Sequence, residues 1–122
     1  MTFQLACRIT ALVGVILFVI LVAVPGSYTE TYGVAADVGG SFMGRRASPL
    51  FLGLAVLLWG LSQNQDRDVQ RVVCICMIIT FAGVALTGIS AFLGGIASSV
   101  VLLAAVGELL IAVAFWYVRP RA

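Results

Sequence analysis

The stretch SFMGRRASPLFLGLAVLLWGLS, residues 41–62, decides how many times this chain can cross a membrane. Its apolar half, Leu50 to Leu61, has 12 residues and is too short for about 30 Å of hydrocarbon at 1.5 Å per residue. A short helix would take Ser48 as its N-cap and Pro49 in its first turn. A helix over the whole stretch would be long enough to cross the bilayer. It would contain Pro49, and the Arg45 carbonyl would lack its usual backbone hydrogen-bond donor. We favour the full-length helix, because a complete span satisfies the backbone in lipid.

The composition is that of a membrane protein. Of 122 residues, 62% are hydrophobic and 10% are charged, and the mean hydropathy is +1.17. A soluble domain has about half apolar residues and roughly a quarter charged ones. The seven basic residues are all arginines, and the net charge of +2 is too small and too dispersed for a nucleic-acid surface. We therefore expect the lipid bilayer, and no nucleic acid, as a partner.

Three further apolar segments are long enough to cross a bilayer: residues 5–24, 69–92 and 96–118. The outer loop, residues 25–40, is polar and rich in glycine and contains Tyr28 and Tyr32. We interpret it as a plain connector anchored by aromatic rings at the headgroups, the alternative being a short lid over the helices. The sequence thus predicts one all-α domain over residues 1–122, an integral membrane four-helix bundle.

The arginines predict the orientation of this bundle. Two of them, Arg45 and Arg46, fall on one side of the membrane. Five fall on the side that holds both termini and the loop after residue 62: Arg8, Arg67, Arg71, Arg119 and Arg121. This asymmetry predicts that both termini lie in the cytoplasm. The belt-forming aromatics Trp59, Trp116 and Tyr117 fall near the same interface.

Small residues predict the faces through which the helices pack. In the segment 69–92 they recur three and four residues apart, on one stripe: Thr80, Gly83, Thr87 and Ala91. Gly53 and Gly60 lie two turns apart on one face of the segment 41–62. Such residues let membrane helices approach closely, so we expect them to be the packing face. The larger Ile78, Phe81 and Leu86 are then expected to face lipid.

Glu108 stands alone in the apolar stretch AAVGELLIAV, residues 104–113. A carboxyl group facing acyl chains would cost several kcal/mol, so we expect it to point inward and to have a partner. The leading interpretation is a buried polar pair with Arg45 or Arg46 across the bundle. Two alternatives stay open: a ligand or proton site, and a contact to another subunit.

No catalytic or metal-binding constellation emerges from the sequence. There is no histidine or lysine, and the other acids, Glu30, Asp37, Asp66 and Asp68, fall in the connecting segments. The cysteines lack the spacing of a metal site, and we interpret them as small apolar fillers: Cys7, Cys74 and Cys76. We expect neither an enzyme nor a cofactor.

Several short features together resemble a family. They are TYGV, with Tyr32 and Gly33, an arginine at position 45 or 46, LFLGLAVLLW with Gly53, and the acid Glu108. In order and spacing they are similar to small four-helix bacterial inner-membrane proteins of unknown function, loosely of DoxX type. The resemblance implies a four-helix fold and a place in a bacterial inner membrane. It implies no activity. DoxX-type proteins are associated with quinone-linked or redox complexes.

The functional expectation is a non-catalytic membrane protein. It would be a small accessory or assembly subunit packed beside a larger membrane complex, or against copies of itself. The alternative is a small carrier or binding protein for a proton or a lipophilic ligand, with Glu108 and an arginine of the segment 41–62 lining the site.

Overall fold

The computed structural model describes residues 1–121, and this part of the chain contains helices and no strand. The five helices are α1 (Phe3–Ala23), α2 (Pro25–Thr31), α3 (Val38–Leu61), α4 (Arg67–Leu93) and α5 (Val100–Val118). The all-α prediction is confirmed. Three helices, α1, α4 and α5, are long and apolar enough to cross a membrane, which indicates an integral membrane protein.

Helix α3 runs without interruption through Pro49. Because proline has no backbone N–H, the Arg45 carbonyl loses its partner, and the Ser48 hydroxyl donates a hydrogen bond to that carbonyl at 2.7 Å. The helix begins at Val38, three residues before the predicted start, because the Asp37 side chain caps it by accepting from the Gly40 N–H. Its 24 residues extend about 36 Å, enough to cross a bilayer.

The four long helices pack mainly as two pairs, α1 with α3 and α4 with α5, and α1 also contacts α5. The first pair approaches closely at Gly14. A Cβ atom at this position would lie 3.0 Å from the Phe51 carbonyl oxygen and 3.3 Å from the Ala55 Cβ. The absence of a side chain at Gly14 is therefore what lets α1 and α3 meet.

One hydrophobic core joins residues of all four long helices. Its members are Phe3, Ala6, Cys7 and Ala11 of α1, Ala55 and Leu58 of α3, Val73, Cys74, Met77 and Phe81 of α4, and Ala112 and Phe115 of α5. They lie toward the end of the molecule that holds the N-terminus and the end of α5. Phe115, the largest fully buried side chain, and the buried cysteines fill this core as apolar groups.

The packing face predicted for α4 is wrong within this chain. Thr80, Gly83 and Thr87 are exposed and Ala91 is only half-buried, whereas Phe81, predicted to face lipid, is 8% exposed. The buried face of α4 consists of Val73, Cys74, Met77, Phe81 and Ala85. These side chains are on average larger, and they fill the space between helices that small residues would leave empty.

The same correction applies to the glycines predicted to pack on α3. A Cβ atom at Gly53 or Gly60 would meet nothing within 4 Å. The face of α3 that contacts α1 carries Ala55 instead, and the small residue opposite it is Gly14 of α1.

The outer segment is more ordered than the plain connector that we expected for residues 25–40. It contains the seven-residue helix α2, begun by Pro25, and the start of α3. The Ser98 N–H donates to the Tyr32 carbonyl at 2.7 Å, which ties this segment to the turn between α4 and α5. Gly33 has φ +73° and lies against Ser98, a backbone conformation that favours glycine.

Two other helix boundaries differ from the prediction for local reasons. Helix α4 begins at Arg67, two residues early, because the Asp66 side chain accepts from the Asp68 and Val69 N–H groups. Helix α5 begins at Val100, four residues after the predicted 96, because the chain turns at Gly95 with φ +73° and needs residues 96–99 to enter the next helix.

The contact at Gly14 gives a stability prediction. Gly14→Leu should force α1 and α3 apart and destabilise the protein by about 1–3 kcal/mol. Gly53→Leu, at an open glycine of α3, should leave stability nearly unchanged. Thermal unfolding in detergent measures both, and equal melting temperatures would contradict the assigned packing.

Candidate functional site

Glu108 lies on the inward face of α5. It shares this face with the buried Ala105, Ala112 and Phe115, three, four and seven residues away, the spacing of one side of a helix. Its own side chain is half-buried. Eight residues separate it from the start of α5, which places it about 12 Å along the helix, near the middle of the apolar segment.

Among the polar groups of the outer segment, Tyr28 is close enough to Glu108 for the carboxylate to influence its phenol. Burial raises the pKa of the Tyr28 phenol, and the adjacent Tyr32 and the Glu108 carboxylate act in the same direction. The rings of Tyr28 and Tyr32 meet edge to face, with centroids 5.2 Å apart and planes at 87°. Two phenols therefore lie together in the outer segment, and the Glu108 carboxyl group is near enough to affect one of them.

Sequence reasoning missed Tyr28 as a neighbour of Glu108. The available signal was the spacing of Tyr28 and Tyr32, four residues apart, which places two rings on one side of a helical turn. The favoured interpretation of the sequence places both rings at the headgroup level, as anchors of a plain connector.

The predicted partner Arg45 lies elsewhere. Its Nε donates to the Val22 carbonyl at 3.3 Å, one of the last carbonyls of α1, which have no acceptor role within that helix. A cation is also favourable at a helix C-terminus. Since α3 packs on α1 and α5 packs on α4, Arg45 is directed toward α1.

Arg46 does not pair with Glu108 either. It is exposed and lines a shallow surface groove with Met43, Ala47 and Leu50. The pair of Glu108 with Arg45 or Arg46 is thus a wrong prediction for the described residues. The cause is the pairing of the helices, which sequence spacing alone does not determine.

The groups of Tyr28, Tyr32 and Glu108 are suited to hydrogen bonding and proton exchange. In residues 1–121 no group of three or more histidine, cysteine or acidic side chains is placed to hold a metal ion. A carboxyl group and a phenol in apolar surroundings can share a proton or hold a polar group of a ligand.

Two apolar grooves open on the surface away from this cluster. One, of about 410 Å³, lies between α1 and α3. The other, of about 430 Å³, lies between α3 and α4 and has Asp68 at its end. Neither groove includes Glu108.

No protein-family model matches the sequence, and no curated protein or solved structure is significantly similar to it. The resemblance to DoxX-type proteins therefore stays an expectation from short motifs. The functional argument has to come from the helices and the side chains themselves.

The cluster predicts a distinctive titration. The folded protein should keep the Tyr28 proton above pH about 10, where an ordinary tyrosine loses it, so the free energy of unfolding should fall as the pH rises through this range. Tyrosinate absorbance should show a late component that Tyr28→Phe removes and that the exposed Tyr117→Phe keeps. A late component that persists in Tyr28→Phe would contradict the burial of this phenol.

Proposed function

We propose that this protein is a non-catalytic accessory or assembly subunit that packs beside a larger complex in a bacterial inner membrane. The observation that carries the proposal is the open face of α4, defined by Thr80, Gly83 and Thr87. All three residues are exposed, and a Cβ atom at Gly83 would meet nothing within 4 Å. Small residues on a membrane helix favour close approach of another helix, and no helix of this chain takes that place.

The Thr87 hydroxyl of this face has a hydrogen-bond partner within its own helix. Thr87 donates to the Val84 carbonyl of its own helix at 2.7 Å, so its polarity is satisfied without a neighbour. A second membrane protein can therefore approach this face at low desolvation cost. Much of the surface on other helices is large and apolar, as at Leu103 (74% exposed) and Leu110 (64% exposed) of α5, and suits contact with lipid.

The same proposal includes the topology. Helix α3 is long enough to be a fourth span, and Ser48 satisfies the carbonyl that Pro49 leaves free. Four spans would form a bundle with both termini on one side, which the excess of arginines identifies as the cytoplasm. Three spans would leave the termini on opposite sides.

The open face of α4 is tested by assembly. Gly83→Leu should abolish copurification of a protein partner, or self-association, in mild detergent while leaving the melting temperature of the isolated chain within about 2 °C of the wild type, a shift of a few tenths of a kcal/mol. Gly107→Leu is the matched control, since Gly107 is an equally open glycine on α5. Equal retention of partners by the two variants would refute the assigned face.

A second candidate function is a carrier or binding protein for a proton or a lipophilic ligand at Glu108. The observation that favours it is the half-buried position of Glu108 on the inward face of α5, with the Tyr28 phenol near enough to be influenced by its charge. A small lipophilic molecule that copurifies with the wild type and is lost in Glu108→Gln, with partner proteins retained, would favour this function over the first.

A further inference from the structure

The groove between α1 and α3 is a surface channel with apolar walls. Ala11, Leu12 and Val15 of α1 line one wall, and Ala55, Val56, Trp59 and Gly60 of α3 line the other. The groove is concave because several of these residues are small. The larger side chains around them project farther from the helix surfaces and form its walls. Since both helices face the bilayer here, the channel is open to an acyl chain along its length.

A cation lies at the end of this channel. Arg8 precedes Ala11, Leu12 and Val15 by three, four and seven residues, so it lies on the same face of α1. Its Cζ is 5.2 Å from the centroid of the Trp59 ring, which lines the channel. A guanidinium held over an aromatic face in this way is fixed in position and still offers N–H groups at its edge.

The charge of Arg8 is incompletely matched within the chain. Its Nε atom is buried and has no hydrogen-bond partner, and a buried unsatisfied donor costs about 1–3 kcal/mol. Arg45, in contrast, donates its Nε to a backbone carbonyl. The Arg8 side chain as a whole is only half-buried, so the outer N–H groups of its guanidinium, unlike the buried Nε, are available to an external acceptor beside the channel.

We propose that this channel binds an anionic glycerophospholipid, with its phosphate on the Arg8 guanidinium and one acyl chain between α1 and α3. Arginine matches phosphate oxygens with paired N–H donors, and tryptophan is favoured at the depth of the headgroups. From Arg8 to Val15 the channel follows α1 for about 10 Å. This length corresponds to the part of one leaflet that lies next to the headgroups.

The second apolar groove shows why the charge matters. It is similar in volume, about 430 Å³, and equally apolar, but the charged side chain that lines it is Asp68. A carboxylate at that place repels an anionic headgroup. The proposal therefore assigns the anionic lipid to the α1–α3 channel and not to the α3–α4 groove.

The proposal is tested with the full chain in detergent, using phosphatidylglycerol and phosphatidylcholine as probes. Native mass spectrometry and the rise in melting temperature on lipid addition both measure binding. The wild type should bind phosphatidylglycerol more tightly than phosphatidylcholine. Arg8→Gln should weaken phosphatidylglycerol binding about tenfold, the loss expected for a charge-assisted hydrogen bond, whereas the exposed Arg71→Gln should have little effect. Equal binding of the two lipids, or equal losses in the two variants, would overturn the proposal.

A second pair of variants keeps the test decisive if Arg8→Gln fails to fold. Gly60→Leu places a side chain in the channel, and Gly53→Leu places one at an equally open glycine outside it. Phosphatidylglycerol binding should fall in Gly60→Leu and persist in Gly53→Leu. Unchanged lipid binding in Gly60→Leu would overturn the proposal. Crosslinking that joins Arg8 to a carboxylate of a partner protein, and not to lipid, would also overturn it.

Discussion

A continuous helix has to satisfy its backbone polar groups, and at Pro49 helix α3 cannot do so with its backbone alone. The hydrogen bond of 2.7 Å from the Ser48 hydroxyl to the Arg45 carbonyl supplies the missing partner. Because of this contact, α3 can continue for 24 residues and lie along α1. The core, the placement of Arg45 at the end of α1 and the channel beside Arg8 all depend on the packing of α3 against α1.

The sequence indicates the long helices well and their contacts poorly. Long apolar runs reveal α1, α4 and α5, and the need for a full span correctly carries α3 through Pro49. The faces through which the helices pack are harder to predict. A membrane helix is as apolar toward lipid as toward its neighbours, so no periodic change from apolar to polar residues separates the two faces. Phe81 is buried and Thr80 is exposed, the reverse of a reading that assigns small residues to the interior. Gly14, the glycine that does mediate a close contact, stands in a run of large aliphatic residues.

The candidate site shows the same division. A lone carboxyl group in an apolar helix correctly draws attention to Glu108, since exposure to acyl chains would be costly. Its surroundings could not be predicted from charge complementarity, because Tyr28 carries no charge and comes near Glu108 only through the fold of the outer segment. The short helix α2, begun by Pro25, and the hydrogen bond between Tyr32 and Ser98 bring the phenols toward α5. The cluster and the open face of α4 are separate features, which is why partner binding and ligand binding can be tested independently.

The central claim is that α3 crosses the bilayer as the fourth helix beside α1. The most direct measurement is the side of the membrane on which each terminus lies in intact cells. A reporter that is active only outside the cytoplasm is fused before Met1 in one fusion protein and after Ala122 in a second. A fourth span predicts the same result at both ends, and the arginine distribution predicts that both reporters stay silent. One active and one silent reporter would mean an odd number of crossings and would contradict the account of α3.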